Sequence, residues 1–382
     1  MRTVRDIPHF ENIPILVRTA MNVPLRSGVV VNDYRLRRAL ATIRFLSEKN
    51  ARVVLISHIG EAGTETLEPV ARALGKLIPR VSFFPETIGS RARDAVRRLL
   101  PGDILVLENL RRDRRERLND PVFAEELAAL ADVFVEDSFD TCHRAHASIV
   151  GVPKILPSYA GLLLEEEVRE LSTALAPKNP SLAVIGGAKF STKEAVLATL
   201  LQTYTHVFVG GALANDFLRA TGHEVGKSLV SDSIDAGMQQ LLISPKLVLP
   251  VDVLVVPFLT LGTPHMRSSA RIASVGDVHP DEVILDQGPG TNALLSTLAE
   301  HTKTILWNGP LGKYEDGFID ATDAFARAVA NADAHSVVGG GDTIASIESL
   351  GLLPKFSFVS TGGGAMLDFL AKGTLPGIEV LG

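Results

Sequence analysis

The chain has 382 residues, of which 46% are hydrophobic and 21% are charged, and its formal net charge is −6. The length fits two domains better than one hydrophobic core, and the composition excludes a disordered chain. The negative charge excludes a general attraction to nucleic acid or to an anionic membrane surface, so we expect neither as a partner.

Cysteine usage and the apolar segments indicate a cytoplasmic protein. Cys142 is the only cysteine, so no disulfide can form within the chain and a reducing compartment is expected. Residues 1–11 lack the apolar centre of a signal peptide. The most apolar run, 247–261, is interrupted by prolines and is shorter than the roughly 20 residues that span a bilayer.

Short runs rich in β-branched residues alternate with longer segments of helical period along the chain. This alternation is typical of parallel sheets with crossover helices and predicts an α/β fold. The predicted strands are 15–18, 52–59, 81–84, 103–108, 133–136, 182–186, 206–210, 247–256, 304–307, 336–339 and 356–360. Between the first two strands, apolar residues recur at helical spacing over 36–46, and Asp33 is the predicted N-cap of that helix.

The middle of the chain contains the predicted domain boundary. A charged amphipathic segment at 165–175 predicts a helix, and a linker-like Ala-Pro-Lys-Asn-Pro follows it at 176–180. The sequence has no fixed short repeat, which excludes solenoids and propellers. The tail at 373–382 contains Pro376 and Gly377 and is not expected to continue a helix.

Most predicted strands of the second half end in glycines. These clusters are Gly186-Gly187-Ala188-Lys189, Gly210-Gly211-Ala212, Asn308-Gly309-Pro310, Gly339-Gly340-Gly341-Asp342 and Thr361-Gly362-Gly363-Gly364. Some lead directly into predicted helices, at 343–350 and 365–371. A glycine-rich turn that enters a helix presents N–H groups to phosphate, and ligands bind at the carboxyl ends of parallel strands. Five such clusters therefore predict a nucleotide site.

Two common nucleotide-binding motifs are absent from the sequence. The segment Gly222-His-Glu-Val-Gly226-Lys227-Ser228 resembles a phosphate-binding loop, but it has one residue too few between its glycines and follows a helical segment. We interpret it as a helix end and a turn. No Gly-x-Gly-x-x-Gly pattern follows the first predicted strand, which argues against a nicotinamide-dependent dehydrogenase.

Charged residues near the glycine clusters are candidates for phosphoryl transfer. Lys189 and Lys193 follow Gly187 and are placed to reach the charge of a moving phosphoryl group. Asp342 is a candidate to hold Mg²⁺ between nucleotide phosphates, and Glu315 is a candidate acceptor for ribose hydroxyls. The alternatives are solvated lysines, a helix N-cap at Asp342 and an ordinary surface acid at Glu315.

The first half contributes basic residues at or just beyond strand ends and helix starts. They are Arg18, Arg35, His58, Arg111, Arg144 and His146. Together they predict an anion site, although each alone is more often a surface charge. The arginine-rich run 111–117 lacks interleaved aromatic residues, so we interpret it as a solvated loop from which Arg111 alone turns inward.

A zinc site is an alternative use of the same region. Cys142, His143 and His146 are metal ligands by type, and Asp137 is close to them in sequence. No second ligand pair stands at a recognisable spacing, so the sequence disfavours zinc.

A set of short motifs runs through both halves of the chain. In the first half they are Asn22-Val-Pro24, Arg35, Ser57-His-Ile-Gly60, Leu107-Glu-Asn-Leu-Arg111 and Thr141-Cys-His-Arg-Ala-His-Ala-Ser148. In the second half they are Gly186-Gly-Ala-Lys189, Ser191-Thr-Lys193, Leu306-Trp-Asn-Gly-Pro310, Gly339-Gly-Gly-Asp-Thr343 and Ser360-Thr-Gly-Gly-Gly-Ala365. In this order and at this spacing, the chain resembles the phosphoglycerate kinase family over essentially its whole length.

The resemblance implies two Rossmann-like α/β lobes with parallel sheets, joined by a hinge helix. Residues 1–162 would bind the acid phosphate, 163–180 would form the interdomain helix and linker, and 181–365 would bind the nucleotide. The tail 366–382 would return to the first lobe. The implied activity is reversible transfer of the acyl phosphate of 1,3-bisphosphoglycerate to Mg·ADP, giving 3-phosphoglycerate and ATP. The enzyme would be a monomer whose lobes close on both ligands.

The same resemblance assigns residues to the two ligands. The acid phosphate would be bound by Asn22, Arg35, His58, Arg111 and Arg144. The nucleotide would be bound by Gly187, Lys189, Lys193, Gly211, Asn308, Pro310, Glu315, Gly340, Gly341, Asp342 and Thr343. Asp342 would hold Mg²⁺ through the nucleotide. Catalytic roles, stabilising charge on the moving phosphoryl group, fall to Arg35, Lys189, Lys193, Gly340 and Gly363.

The chain departs from the family pattern mainly in the acid lobe. The aspartate of the family's Arg-x-Asp-x-Asn-x-Pro motif is Ala20, the arginine of its His-Leu-Gly-Arg-Pro motif is Glu61, and a family glycine is Asp140. In the nucleotide lobe, Gly312-Lys-Tyr-Glu315 replaces Gly-Val-Phe-Glu. The lost arginine alone predicts about tenfold to a hundredfold weaker binding of 3-phosphoglycerate. Compensating charge is expected from three neighbouring arginines, Arg112, Arg114 and Arg115.

Three alternatives to a working phosphoglycerate kinase stay open. A non-catalytic relative that binds nucleotide fits an intact nucleotide lobe beside a changed acid lobe. A kinase for a different carboxylic acid fits the altered acid recognition at Ala20 and Glu61. A nicotinamide-dependent dehydrogenase would be distinguished from the others by NAD binding.

Overall fold

The computed structural model describes residues 1–188, 190–231 and 236–382. The chain divides into two compact units, Met1–Arg169 with Thr374–Gly382, and Glu170–Gly373. The tail that groups with the first unit thus begins at Thr374, later than the predicted 366. In the part of the chain that the structure describes, no helix combines the length and apolar character that a membrane span needs.

The first unit is built on a six-stranded parallel sheet. The strands of the whole unit are β1 (Pro14–Thr19), β2 (Leu25–Arg26), β3 (Val29–Val30), β4 (Arg52–Ile56), β5 (Val81–Phe84), β6 (Ile104–Leu107), β7 (Val133–Asp137) and β8 (Ser158–Ala160). Its helices are α1 (Tyr34–Glu48), α2 (Glu68–Gly75), α3 (Ser90–Arg97), α4 (Pro121–Ala128) and the first part of α5 (Leu162–Leu175). The sheet order is β5-β6-β4-β1-β7-β8, and β2 pairs with β3 in a separate hairpin.

Alternate residues of the central strands of this sheet pack into two separate cores. Val53 and Leu55 of β4 pack with Leu36 of α1 on one face. Val54 of the same strand packs with Phe123 of α4 on the other face. Because successive side chains of a strand point to opposite faces, a sheet covered on both sides needs apolar residues at nearly every strand position. This explains why the central strands are recognisable as continuous apolar runs.

The start of α1 differs from the prediction. Asp33 stands at the N-cap position, but its side chain makes no capping hydrogen bond. Its carboxylate instead accepts a hydrogen bond from Arg37 Nε (2.8 Å). Asn32 Oδ1 accepts from the backbone N–H of Tyr34 (2.9 Å). The side-chain acceptor at the start of this helix therefore comes from the residue before the predicted one.

The second unit contains a six-stranded parallel sheet and a three-stranded antiparallel sheet. Its strands are β9 (Ser181–Ile185), β10 (His206–Val209), β11 (Leu247–Val248), β12 (Asp252–Pro257), β13 (Arg271–Ser274), β14 (Glu282–Gln287), β15 (Thr304–Asn308), β16 (His335–Gly339) and β17 (Phe358–Val359). Its further helices are α6 (Glu194–Thr203), α7 (Ala212–Ala220), α8 (Ala236–Leu242), α9 (Pro289–Glu300), α10 (Asp320–Asn331), α11 (Gly341–Ser349) and α12 (Gly364–Lys372). The sheet orders are β11-β10-β9-β15-β16-β17 and β13-β12-β14.

The predicted strand 247–256 is wrong, because this segment forms two strands in different sheets. Strand β11 pairs in parallel with β10, whereas β12 pairs antiparallel with both β13 and β14. Pro250 lies between β11 and β12, and proline lacks the N–H that a continuous strand would need. The antiparallel sheet was not predicted. Its strand β13, Arg271–Ser274, is short and mostly not buried, so it lacks a strong apolar signal.

Four neighbouring strands of the second unit, β10, β9, β15 and β16, are followed by glycine turns whose backbones nearly touch. A Cβ at Gly186 would lie 2.1 Å from the carbonyl oxygen of Pro310, and a Cβ at Gly211 would lie 3.0 Å from the same atom. A Cβ at Gly340 would lie 3.2 Å from the backbone nitrogen of Gly309. We call this row of turns the glycine edge. Its spacing leaves no room for side chains at these positions.

The C-terminal tail packs on the first unit. Helix α12 ends at Lys372, where Gly373 adopts a left-handed conformation with φ 76°. The tail then forms a single turn, α13 (Pro376–Glu379), with proline at its first position. The N–H of Gly377 donates to the carbonyl of Cys142 (2.9 Å), and a Cβ at Gly377 would lie 2.8 Å from Ile149 Cγ2.

We predict that Gly377→Ala lowers the free energy of unfolding of the first unit by about 1–3 kcal/mol, because the added methyl group overpacks the contact with Cys142 and Ile149. Urea denaturation of the full chain measures this loss. Gly276→Ala is the control, because a Cβ there meets nothing within 4 Å. Equal unfolding curves for the two variants would show that the tail contact contributes nothing.

Candidate active site

A buried arginine organises the acid-binding candidates of the first unit. Arg18 lies near the carboxyl end of β1 and is 1% exposed. Its guanidinium donates to Ser148 Oγ (3.2 Å) and to the carbonyl of Thr19 (3.0 Å). It also lies 3.4 Å from Ser57 Oγ and 3.0 Å from His58 Nδ1. Because β1 and β4 are adjacent parallel strands, the residues that follow them meet at the same edge of the sheet.

Glu116 is the buried acid of this cluster, and the sequence analysis did not identify it. Its side chain is almost fully buried and accepts from the hydroxyl of Ser148 (2.5 Å) and from the N–H of the same residue (3.0 Å). Burial raises the pKa of Glu116, and the positive charge of Arg18 opposes that rise. The run 111–117 is therefore not wholly the solvated loop that its charges predict.

The two histidines of the cluster supply hydrogen-bonding groups rather than positive charge. Burial lowers the pKa of His58 well below its usual value, and Arg18, Arg111 and Arg35 lower it further. Burial lowers the pKa of His146 to about 4, with Arg18 and Arg111 as the next causes. At neutral pH both rings are uncharged, so the positive charge of this site comes from its arginines.

The structure brings together Asn22 and Arg35, two of the residues predicted to bind the acid phosphate. Arg35 Nη1 donates to the carbonyl of Asn22 (2.9 Å), and Asn22 Oδ1 accepts from the N–H of Gly60 (3.1 Å). Arg35 also forms an ion pair with Asp140, with 3.3 Å between Nη1 and Oδ2. Asp140 is one of the positions at which the chain departs from the family pattern.

Arg111 turns inward, as predicted, and it pairs with another departing residue. Its Nη1 donates to the carbonyl of Gly60 (2.7 Å) and lies 2.9 Å from Glu61 Oε2. This hydrogen bond lowers the pKa of Glu61, and the charges of Arg117 and Arg144 lower it further. Arg144 and Arg117 are exposed. Arg117 is a basic residue of the site that the sequence analysis did not select.

Two of the arginines expected to compensate for the lost family arginine pair with local acids. Arg112 lies 2.8 Å from Glu108 Oε2. Arg115 lies 2.7 Å from Asp113 Oδ2 and 3.1 Å from Glu126 Oε2. These contacts pair Arg112 and Arg115 with acids that are not assigned to the substrate, so the expectation that they add charge to the acid site is not supported.

The residues considered for zinc have other partners. The carboxylate of Asp137 accepts from the N–H groups of Leu163 and Leu164 at the start of α5. Cys142 is buried against Gly377 of the tail. Over residues 1–188, 190–231 and 236–382, no group of three or more histidine, cysteine or carboxylate side chains forms a metal cluster.

The second unit contains a cavity of about 470 Å³ beside the glycine edge. The predicted nucleotide-binding residues that line it are Gly187, Gly211, Pro310, Glu315 and Asp342. Apolar side chains cover its other walls, among them Leu218, Leu261, Val283 and Leu311. An apolar slot that ends at glycine turns and helix N-termini suits a nucleotide, because the base is apolar on its faces and the phosphates are anionic.

The remaining predicted nucleotide-binding residues lie around the glycine edge. Gly340 and Gly363 are the N-cap residues of α11 and α12, so the N–H groups at both helix starts follow them. Lys193 is half-buried, burial lowers its pKa, and its Nζ would lie 2.8 Å from a Cβ at Gly187. Asn308 and Thr343 are buried. Lys189 lies outside the described residues.

Two carboxylates share the cavity wall. Burial raises the pKa of Asp342, and the like charge of Glu315 raises it further. Asp342 is not the N-cap of α11, contrary to one alternative, because Gly340 takes that position. The repulsion between the two acids would be relieved by a cation, so carboxylate oxygens here fit Mg²⁺.

Two further cavity residues were missed by the sequence analysis. Lys313 forms an ion pair with Asp316 (2.8 Å). Asp286 is 4% exposed, and burial raises its pKa to about 7 although it accepts from the N–H groups of Gln287 and Ala321. Asp286 is the penultimate residue of β14, a strand that the sequence does not predict, so no local signal places it at a binding edge.

An arginine cluster for one anion and a glycine edge for a second are what a phosphotransferase acting on small anionic molecules requires. The comparisons with known proteins define the class further. The family model for phosphoglycerate kinase matches residues 4–373. The chain belongs to the phosphoglycerate kinase family.

Individual relatives and solved structures agree with the family match. The phosphoglycerate kinase of Moorella thermoacetica is 41% identical over 99% of this chain and 98% of its own length. That of Thermomicrobium roseum is 42% identical over 100% and 99%. The solved phosphoglycerate kinase of Coxiella burnetii has a TM-score of 0.82 at 38% identity, covering 99% of this chain and 98% of its own. That of Pyrococcus horikoshii OT3 has a TM-score of 0.87 at 29% identity, covering 100% and 98%.

We predict that Asp286→Asn flattens the pH dependence of stability. In the folded chain this carboxyl has a pKa of about 7, above the unfolded value of 3.8. The folded state therefore binds more protons between about pH 4 and pH 7, and its free energy of unfolding falls as pH rises through that range. Asp320 opposes ionisation of Asp286 and Arg267 favours it.

Urea denaturation at pH 5 and at pH 8 measures this effect. Between pH 5 and pH 8, the free energy of unfolding of the variant should rise by a few kcal/mol relative to that of the unchanged chain. Asp281→Asn, which removes an exposed acid just before β14, should leave the difference between the two pH values unchanged. A constant difference between chain and variant at both pH values would contradict the prediction.

Proposed function

We propose that this chain is a phosphoglycerate kinase that transfers the acyl phosphate of 1,3-bisphosphoglycerate reversibly to Mg·ADP, giving 3-phosphoglycerate and ATP, with an altered acid site. The observation that carries the proposal is the glycine edge beside the cavity that contains Glu315 and Asp342, in a chain of this family. We also propose a cytoplasmic monomer, on the single cysteine and the family resemblance.

The chemistry is a single in-line displacement. In the direction of ATP formation, a β-phosphate oxygen of ADP attacks the phosphorus of the acyl phosphate. The bond from that phosphorus to the carboxyl oxygen breaks, and the carboxylate of 3-phosphoglycerate leaves. No covalent bond to the protein forms, so the protein contributes position and electrostatic stabilisation.

The first unit would hold the acid phosphate through its arginines. Arg35, Arg111 and Arg144 supply charge, and Asn22 and neutral His58 supply hydrogen-bonding groups. Arg35 stabilises negative charge on the moving phosphoryl group in this proposal. Arg35 lies on α1, and its guanidinium donates a hydrogen bond to the carbonyl of Asn22. This contact supports a defined orientation of the guanidinium.

The second unit would hold the nucleotide through backbone groups and two lysines. The N–H groups that follow Gly340 and Gly363 face phosphate oxygens, and Lys193 and Lys189 add positive charge. Mg²⁺ would be held at Asp342, with Glu315 nearby, and when bound it supplies positive charge to the nucleotide phosphates.

The acid site is altered because two family groups are missing and two acids are added. Ala20 is buried and offers no polar atom in place of the family aspartate. Glu61 replaces a family arginine and pairs with Arg111. These changes are the specific observation that favours the second candidate, a kinase for a different carboxylic acid.

A coupled assay with Mg·ATP and 3-phosphoglycerate tests the proposed reaction. We expect turnover in the unchanged chain and a loss of about a hundredfold or more in kcat for Arg35→Ala, because the charge that stabilises the moving phosphoryl group is removed. Arg37→Ala is the matched control, since Arg37 lies on the same helix, is exposed and pairs only locally with Asp33.

Binding of ADP without turnover would overturn the kinase assignment and favour the non-catalytic relative. Turnover with another small carboxylic acid, but not with 3-phosphoglycerate, would establish the altered-substrate kinase instead. Equal activity of the Arg35 and Arg37 variants would remove Arg35 from the mechanism.

The metal-binding role of Asp342 has a separate test. We expect Asp342→Asn to raise the KM for Mg·ATP about tenfold or more, because a neutral amide holds Mg²⁺ less well than a carboxylate does. The measurement is KM for Mg·ATP at several Mg²⁺ concentrations, with Asp333→Asn, an exposed acid of the same unit, as control. An unchanged Mg²⁺ dependence would exclude Asp342 as the metal-binding residue.

A further inference from the structure

We propose that Glu61 and Asp140 are internal counter-anions that set how tightly the acid site holds its anionic substrate. Each carboxylate pairs with one of the arginines assigned to that substrate, so the substrate must compete with a group of the chain itself. The inference rests on the proposed function for the identity of the substrate, but its binding test does not require turnover.

The first pair joins Glu61 and Arg111. Glu61 Oε2 lies 2.9 Å from Arg111 Nη1, and the Arg111 side chain is only 6% exposed, whereas that of Glu61 is 84% exposed. The arginine is therefore held in the wall of the site while the acid lies over it on the solvent side. An anion that binds Arg111 from the solvent side must therefore compete with Glu61 for the guanidinium.

The second pair joins Asp140 and Arg35. Asp140 Oδ2 lies 3.3 Å from Arg35 Nη1, and here the acid is the buried partner. Asp140 Oδ1 also accepts from Ser138 Oγ (2.9 Å), which fixes the carboxylate in place. Because the charge of Asp140 is buried, pulling Arg35 toward a substrate leaves that charge with less compensation, which adds to the cost of binding.

The two pairs act against the substrate in different ways. Glu61 is exposed, so its pair with Arg111 is weak, and its main effect is repulsion of a dianionic phosphate. Asp140 is buried and stays in place, so its ion pair opposes movement of the Arg35 guanidinium toward the substrate. Since the pairs involve different arginines, each acid opposes binding through its own contact.

Neutral substitutions of the same size provide the experiment. Glu61→Gln should lower the KM for 3-phosphoglycerate roughly threefold to tenfold, and Asp140→Asn roughly tenfold, while the KM for Mg·ATP stays unchanged in both. The double variant should bind 3-phosphoglycerate more tightly than either single variant. Titration calorimetry of 3-phosphoglycerate alone should show the same gains in Kd.

Glu65→Gln is the matched control. Glu65 belongs to the same loop, and its carboxylate lies close to Gly60, but its hydrogen bond is with Thr64 rather than with an arginine of the site. The control should leave the KM and the Kd for 3-phosphoglycerate at their original values. Melting temperatures of all variants separate a change in binding from a loss of structure.

Tighter binding in the Glu61 and Asp140 variants, but not in the Glu65 variant, supports the inference. An unchanged or weaker affinity for 3-phosphoglycerate in Glu61→Gln, which alters an exposed side chain and should fold normally, would overturn it. Absence of turnover in every chain, with tighter binding in the two variants, would reject the proposed function and leave this inference standing.

Discussion

The second unit depends on close backbone contact at the carboxyl ends of four neighbouring strands. Where β10, β9, β15 and β16 end, any side chain at Gly186 or Gly211 would collide with the carbonyl of Pro310. Glycine is the only residue that fits such an approach, and several of these positions also need a left-handed backbone. The same contact leaves the edge bare, so backbone N–H groups and helix starts, rather than side chains, line it.

This constraint also explains which parts of the fold could be predicted. Glycine clusters and buried parallel strands are local signals, and they predict the glycine edge and most strands of the two parallel sheets. The sequence does not show which sheet a strand joins, since pairing depends on residues far along the chain. The apolar run therefore predicts one strand where β11 and β12 form, and no local signal predicts β13 and β14, which pair with β12. Asp286 was missed with them.

The acid site was harder to predict, because its side chains are arranged by buried charges that are distant in sequence. Arg18 is buried and shares Ser148 with Glu116, although Glu116 stands in a run of arginines that looks like a solvated loop. A buried arginine is tolerated only with such partners. The sequence predicts the basic residues as a group, but it does not show which of them have an acid beside them.

The departures from the family pattern acquire a physical meaning from those partners. Here Arg35 and Arg111 are kept, and the two acids that are new relative to the family pattern, Asp140 and Glu61, each lie within ion-pair distance of one of them. The positive charge of the two arginines is thus neutralised by acids of the chain rather than removed. The arginines stay in position for an anion that can compete with these acids.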